Sequence, residues 1–447
     1  MPGPSACYQN MKNLGLYFRC LILFSAFASS LAFAKASPGL DLCRNNEVTG
    51  LLRTYYFSKL YGSDKKTDQH AFAAAGILNF RTQPFLGGVC VGASLFHANS
   101  LGLNSSDSAR VDTTLMGLGH SLTALGQAYI QWQHPGFMIR GGDQIINTPW
   151  MGPRDSRALP QTFQGVYAAA LPAKKLKFEA MRIYAWKSRT SDDYFRDNLY
   201  YPTYFENDDL FGTKKILPKS AAEAPGTLAF GAHYLGKPLS GQLWYYDFYR
   251  FAKMFYGDGT YLFKRHGEPS PFISAQYAHE WSGANNYFQR YGATLFTKSG
   301  TGGVNATLYG IRLGLKKSDW LLQASYNRLE NNPGAFGGGA LVSPYGNYTA
   351  MYASFMTDNL LSFGPGDAYA IGGSYWALGH RFKFTAAAAQ FRTTYNSHPH
   401  AVYLDASYHP AFLKGLSIRD RIAINNGLPS FDGGYYINNR FMVQYLF

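Results

Sequence analysis

The chain has 447 residues, with 41 Lys and Arg against 27 Asp and Glu, which gives a formal net charge of +14. Aromatic residues make up 17% of the chain and charged residues only 15%, and there are 47 glycines. No segment approaches the roughly 18 uninterrupted apolar residues of a spanning helix, which excludes a helical membrane protein. The basic residues are scattered without a run or motif, so the charge does not indicate a nucleic-acid-binding protein.

The first 36 residues have the pattern of a secretory signal peptide. A short basic region precedes an apolar run over residues 20–27, and small residues then lead to an A-x-A pattern that ends at Ala36. We expect cleavage after Ala36, with Ala34 as the alternative, and Met11 is an alternative start. Residues 37–447 then form one domain.

Segments of alternating polarity, separated by turn signals, run from about residue 50 to the C-terminus. The first strand is predicted over residues 51–57. Short turns and long polar loops follow one another: the turns at 134–136, 236–238 and 316–319, the loops at 99–108, 198–219 and 331–348. A spacing of roughly 23 residues per strand and connection predicts about 18 strands, an even number that encloses an aqueous channel.

The last strand is the clearest one. Residues 440–447 alternate strictly, with aromatic and apolar side chains on one face and a more polar set, which includes Arg440 and Gln444, on the other. An apolar-aromatic face for lipid and a polar face for a lumen are typical of transmembrane β-barrels. The fold class is therefore all-β: an antiparallel transmembrane barrel of about 18 strands with a single channel per chain.

Charge and cysteines indicate an exported barrel. The excess of Lys and Arg predicts a lumen biased toward anions. Of the four cysteines, two lie in the signal region, and Cys43 and Cys90 remain. In an oxidising compartment these two either form a disulfide or stay as free thiols.

No motif predicts catalysis, a cofactor or a metal. Residues 231–238 nearly match a phosphate-binding loop, but Pro238 replaces the Ser or Thr that would hold magnesium, and a hairpin follows instead of a helix. His279-Glu280 lacks the second histidine of a zinc protease motif. We therefore expect no enzyme activity and no cofactor.

Two adjoining segments resemble a family signature. Residues 140–143 read R-G-G-D, and residues 155–165 read D-S-R-A-L-P-Q-T-F-Q-G. They resemble the OprD family of outer-membrane porins, whose members carry R-[YF]-G-[ED] and then D-S-R-L-L-P-Q-T-F-x-G. Weaker matches extend over nearly the whole chain, at residues 52–57, 363–367 and 413–421. The resemblance implies an 18-stranded barrel that admits small carboxylate-bearing solutes through a narrow eyelet.

The same resemblance implies an arginine ladder along one wall of the channel, formed by Arg419, Arg421 and Arg440. The strand pattern supports this placement, because Arg419 and Arg421 are two apart and share a face. A lipid-facing arginine near the midplane would cost about 2–4 kcal/mol, so a lumen position is expected. We expect the three to lie at similar depth. Guanidinium stays charged and binds carboxylates bidentately.

Four further residues are candidates for the pore lining. Arg381 and Lys383, also two apart, are predicted to extend the basic wall. Asp155 and Arg157 lie in a loop that we expect to fold inward and narrow the pore. These two either contact the solute or form an ion pair that holds the loop.

The chain departs from the family pattern in places: Ala158 replaces the usual Leu of the signature, and A-L-G-H at residues 377–380 stands where the family has a G-V-P-G-L turn. A further departure is a charged residue in a strand. Asp420 lies on the predicted lipid face of the arginine strand, where an apolar residue is usual. Either the residue sits at the membrane interface, where the cost is small, or the strand is bulged there.

The sequence thus predicts a porin of the bacterial outer membrane that passes small anionic or zwitterionic solutes passively. The expected partners are outer-membrane lipid and these solutes, not nucleic acid, and both a monomer and a loose homotrimer fit the sequence. Three alternatives stay open: a non-selective general porin, an outer-membrane barrel that hydrolyses lipids, and a plugged barrel with a structural or adhesive role.

Overall fold

The protein, described here from a computed structural model, is a closed barrel of 18 antiparallel strands. The structure describes residues 39–63, 66–196, 222–263, 269–283, 285–290, 303–346, 350–356, 358–394, 398–427 and 434–447. Each strand pairs with its neighbours in sequence, and β1 pairs with β18 to close the sheet. The predicted fold class and strand number are confirmed. The predicted signal peptide and the loop over residues 198–219 lie outside the described residues.

The strand bounds show long strands with short connections at one end. The strands are β1 (Glu47–Tyr61), β2 (Gln69–Arg81), β3 (Val89–Asn99), β4 (Ser121–His134), β5 (Phe137–Gln144), β6 (Thr162–Ala173), β7 (Leu176–Lys187), β8 (Thr227–Tyr234), β9 (Leu239–Phe248), β10 (Ala252–Leu262), β11 (Ser270–Trp281), β12 (Asn305–Lys316), β13 (Trp320–Leu329), β14 (Gly366–Ala377), β15 (Phe382–Thr393), β16 (His400–Tyr408), β17 (Leu416–Asn426) and β18 (Tyr436–Leu446).

The three predicted short turns are confirmed. They join β4 to β5, β8 to β9 and β12 to β13. The long connections lie at the other end of the barrel, for example residues 100–120 between β3 and β4 and residues 330–365 between β13 and β14. Short turns face the periplasm and long loops face outward in outer-membrane barrels, so this asymmetry orients the molecule.

The alternation in β18 shows which face is inside. Arg440, Met442 and Gln444 are buried, whereas Phe441 and Phe447 are exposed on the outer wall. Every second residue of a strand points to the same face, so the polar set lines the lumen and the aromatic set faces lipid. The prediction from the last strand is confirmed. Among the described residues, no helix has both the length and the apolar character needed to cross a membrane.

Two long connections enter the barrel and pack inside it. The first covers residues 145–161 between β5 and β6, and its Trp150, Ala158 and Leu159 are fully buried. The second lies between β13 and β14, and its Leu341 and Tyr345 belong to a hydrophobic cluster against the inner wall. The loop that contains the family signature therefore folds inward, as the sequence analysis expects.

Asp420 is accommodated without a bulge. The pairings of β17 with β16 and β18 run without a register shift. Asp420 is the fifth residue of this 11-residue strand, and its Oδ1 accepts a hydrogen bond of 2.6 Å from Asn439 Nδ2. The bulge expected as one alternative is therefore wrong, and a polar neighbour on β18 satisfies the carboxylate instead.

Candidate functional site: a basic wall in the barrel lumen

The basic wall forms where the first strand meets the last two. Arg421 of β17 is directly paired with Arg440 of β18, and Arg440 is paired with Phe57 of β1. One inward position closer to the periplasm, Arg419 pairs with Met442. The three predicted arginines thus face the lumen at nearly the same depth, because antiparallel pairing brings these positions together across neighbouring strands.

Two aromatic residues of β1 support these guanidinium groups. Arg421 Nη2 donates a hydrogen bond to the hydroxyl of Tyr55. The guanidinium carbon of Arg440 lies 4.8 Å from the centre of the Phe57 ring, which is a cation–π contact. Arg440 Nε also donates to Asn438 Oδ1 at 3.2 Å. The side chains are therefore held in fixed orientations by neutral groups.

A fourth arginine joins the inward loop to the wall. Arg53 of β1 binds Asp155 through two parallel bonds, Nη1 to Oδ1 at 2.6 Å and Nη2 to Oδ2 at 2.9 Å. Arg53 Nη1 also donates to the carbonyl of Arg157 at 2.8 Å. Gln444 Oε1 completes the shell at 2.6 Å from Arg53 Nη2. Bidentate pairs of this kind are strong and geometrically specific.

The two candidate residues of the loop have different surroundings. Asp155 forms the ion pair with Arg53 and so holds the loop against β1. The guanidinium carbon of Arg157 lies 5.2 Å from the centre of the Phe57 ring, on which Arg440 also rests. Two cations thus share one ring. Asp155 is thus in an ion pair that holds the loop, but its partner is Arg53 of β1 and not Arg157, which adds a guanidinium to the basic wall.

Arg419 differs from the other two arginines of the ladder because it has a carboxylate partner. Its Nε and Nη2 bind the Oδ1 and Oδ2 of Asp405 at 2.9 and 2.7 Å. Tyr403 also donates to Asp405 at 2.9 Å. Much of the charge of Arg419 is therefore compensated within the wall, and we take Arg421 and Arg440, which are 8% and 2% exposed, as the main cationic pair of the wall.

Lys383 and Arg381 are separated by the structure. Lys383 lies in β15 opposite Ser407, which is itself paired with Arg419, so it continues the basic wall. Arg381 lies in the turn before β15, where its side chain is exposed and Nε donates to the carbonyl of Leu378 at 3.0 Å. Arg381 is thus outside the basic wall.

The wall opposite the arginines is polar and carries an acid. In the closed order of strands, β9 and β10 lie half a circumference from β18 and β1. There Asp258 accepts hydrogen bonds from Gln242 at 2.6 Å and from the Tyr256 hydroxyl at 2.8 Å. The lumen therefore has one cationic side and one side with hydroxyls, amides and a carboxylate.

Sequence reasoning missed Arg53 and Lys59. Both lie on the inward face of β1, at even spacings from Tyr55 and Phe57, so the alternation of that strand contained the signal. Lys59 Nζ binds Asp112 Oδ1 at 2.8 Å and ties another outer loop to the wall. Among the described residues, no group of His, Cys, Asp or Glu is arranged to hold a metal ion.

The loop between β3 and β4 contains a carboxyl group, that of Asp112, whose pKa is shifted. Burial raises the pKa of the Asp112 carboxyl, but the Lys59 ammonium beside it, the Arg157 guanidinium and the Thr114 hydroxyl outweigh that effect and hold the pKa below its usual range. Asp112 is therefore an anion at neutral pH, and its attraction to Lys59 stabilises the loop against the barrel.

A closed 18-stranded barrel with inward loops and a charged lumen is the architecture found in outer-membrane porins. A family model described as outer membrane porin, OprD family, matches residues 41–221. This match covers less than half of the chain, so residues 41–221 are similar to the OprD family, as the signature within them indicates, and porins of that family lie in the bacterial outer membrane. A comparison with curated protein sequences found no match.

Solved structures share the fold at low sequence identity. OccK9 (OpdG) of Pseudomonas aeruginosa is 16% identical with a TM-score of 0.72, over 90% of this chain and 98% of that one. OccAB3 of Acinetobacter baumannii is 15% identical with a TM-score of 0.71, over 90% and 99%. OpdK of Pseudomonas aeruginosa, solved with vanillate, is 15% identical with a TM-score of 0.69, over 91% and 99%.

Proposed function

We propose that the protein is a substrate-selective channel through which small carboxylate-bearing solutes diffuse passively, with no catalytic step and no cofactor. The observation that carries the proposal is the pair formed by Arg421 and Arg440, directly opposed across two strands and facing the lumen beside an inward loop. Guanidinium groups stay charged at every physiological pH and match the geometry of a carboxylate.

Conduction requires that binding be favourable but weak, with several sites in sequence. The wall offers this graded arrangement, because Arg419 is partly compensated by Asp405 whereas Arg421 is bonded to a neutral hydroxyl. The opposite wall supports passage of zwitterions, since Asp258 and the groups around it present acceptors to an ammonium group. OpdK was solved with vanillate, a carboxylate, and this compound is a suitable first probe.

The experiment is a single-channel recording of refolded protein in a planar bilayer, with vanillate and with vanillyl alcohol, which lacks the carboxylate. Wild type is compared with Arg421→Gln/Arg440→Gln and with the matched control Arg381→Gln, whose side chain is exposed in a turn. We expect vanillate alone to reduce the current. Losing one charged hydrogen bond of about 1.5–3 kcal/mol raises the half-blocking concentration at least tenfold.

Three results would contradict the proposal. Large current steps that ignore vanillate in every variant would identify a general pore. Equal effects of vanillate and vanillyl alcohol would show that the carboxylate is not recognised. Absence of steps in the refolded barrel would indicate a plugged lumen.

A further inference from the structure

A segment ahead of the first strand lies inside the periplasmic end of the barrel. We call residues 39–46 the N-terminal strap. Cys43 of the strap is joined by a disulfide to Cys90, an inward-facing and fully buried residue of β3. The Gln133 side chain of β4 accepts from the Cys43 backbone N–H at 2.7 Å and donates to its carbonyl at 2.8 Å. The strap is thus fixed to the inner wall.

The strap places one carboxylate between two arginines. Asp41 Oδ1 lies 2.8 Å from Nη1 of Arg81, and Asp41 Oδ2 lies 2.6 Å from Nη2 of Arg140. The side chain of Arg140 is 6% exposed and that of Arg81 is 21% exposed, whereas Asp41 is 60% exposed. The cations therefore belong to the wall, and the anion reaches them from the open side.

The two arginines are positioned independently of Asp41. Arg140 Nε donates to Gln131 Oε1 at 2.8 Å, and its guanidinium carbon lies 4.3 Å from the centre of the Tyr129 ring. Arg81 Nη2 binds Glu47 Oε2 at 2.7 Å. A carboxylate held by two guanidinium groups on a built support has the geometry of an anion site.

Space adjoins this pair of cations. A cavity of about 520 Å³ is lined by both arginines and, further round the wall, by Tyr167, Lys177 and Glu179. Its size is within the range of sites for small ligands, about 300–1,000 Å³. Lys177 and Glu179 form an ion pair of 3.0 Å, and Arg81 is also paired with Glu47 at 2.7 Å, so Arg140 supplies the uncompensated positive charge of the arginine pair once Asp41 is displaced.

We propose that Arg81 and Arg140 form a second carboxylate-binding site at the periplasmic end of the lumen, which Asp41 occupies at rest and a solute carboxylate occupies by displacing it. The inference rests on the proposed function, since it requires that carboxylates reach this end. A solute that enters from outside would then bind first at the basic wall with Arg421 and Arg440, and last at Arg81 and Arg140 before it leaves the lumen.

Competition by Asp41 lowers the affinity of the site for a solute carboxylate, which favours release of the solute. A tethered group acts at an effective concentration that is far above that of a dilute solute. Burial against the wall raises the pKa of Asp41, but Arg140 and Arg81 lower it by a larger amount. Asp41 is therefore ionised at neutral pH and competes with the solute carboxylate for the two arginines. A solute that binds is soon replaced by the tethered carboxylate, which favours release over trapping.

The test uses Asp41→Asn, which removes the tethered anion and leaves the disulfide and the glutamine contacts in place. Asp319→Asn is the matched control, because Asp319 is an exposed acid in the turn between β12 and β13 at the same end of the barrel. Vanillate is added to one side of the bilayer and then the other. We expect Asp41→Asn to lower the half-blocking concentration at least fivefold from one side only, and Asp319→Asn to leave it unchanged.

The double variant Asp41→Asn/Arg140→Gln completes the test, since it removes the competitor and one of the two cations together. We expect it to lose the gain in affinity. The inference is overturned if Asp41→Asn blocks like wild type, or if its change is equal from both sides or matched by Asp319→Asn. Failure of the proposed function looks different, because vanillate then fails to block wild type at all. Retained heat-modifiable mobility on gels verifies that each variant is folded.

Discussion

The bidentate bond between Arg53 and Asp155 holds the inward loop in place, and Asp155→Asn is the sharpest way to weaken it. The Arg53 side chain is 2% exposed and that of Asp155 is 17% exposed, with bonds of 2.6 and 2.9 Å between them. The substitution keeps the size of the side chain but removes its charge. A buried guanidinium then faces a neutral amide.

The free energy that Asp155→Asn costs can be worked out from the burial of the ion pair. Removing one partner of a buried ion pair costs about 3–5 kcal/mol. Gln444 and the Arg157 carbonyl keep their bonds to Arg53, so we expect the lower value. About 3 kcal/mol corresponds to roughly a hundredfold shift in the equilibrium between the docked and the released loop. The buried Ala158 and Leu159 still favour the docked state, so release is more frequent but not permanent.

Hydrogen exchange and bilayer recording measure how often the inward loop is released. The amide of Ala158 is bonded to the carbonyl of Leu115, so its exchange reports on loop docking. We expect about a hundredfold faster exchange there and more current noise in the open channel. The matched control is Asp107→Asn, an exposed loop acid 3.5 Å from Arg110. Exchange within about threefold of wild type, together with unchanged noise, would refute the reasoning.

Two further predictions concern the stability of the barrel. Asp112 has a pKa below its ordinary value in the folded state, so its ion pair with Lys59 contributes stability above about pH 4 that is lost as the pH falls through the folded pKa. Asp112→Asn should therefore lower Tm at pH 7, and the difference from wild type should shrink in acid; a gap that is the same at both pH values would contradict this. Gly142 has a φ of +125°, and a Cβ there would lie 2.2 Å from the Ala128 carbonyl oxygen. Gly142→Ala should cost about 1–3 kcal/mol in urea unfolding, whereas Gly141→Ala, with no atom within 4 Å of the new Cβ, should be close to neutral.

Several features of the protein are determined by local sequence alone. A period of two needs no tertiary information, so the alternation in β18 and the inward face of Arg419 and Arg421 follow from the pattern itself. The number of strands follows from the spacing of the turn signals, because turns also depend on local sequence. The loop with the family signature was expected to fold inward, and residues 145–161 do so.

Pairing between distant segments is what only the tertiary structure decided. Arg53 and Asp155 are 102 residues apart, and Asp405 is opposite Arg421 in the register of β16 and β17 while its carboxylate binds Arg419. A strand pattern gives the face of a side chain but not its partner, since the partner depends on closure of the whole sheet and on the path of the loops. The same holds for Asp41, whose position between two arginines depends on where a short segment crosses the barrel. The sequence pattern thus determines which charged residues face the lumen. Which opposite charge each of them pairs with is decided by contacts that form when the barrel closes.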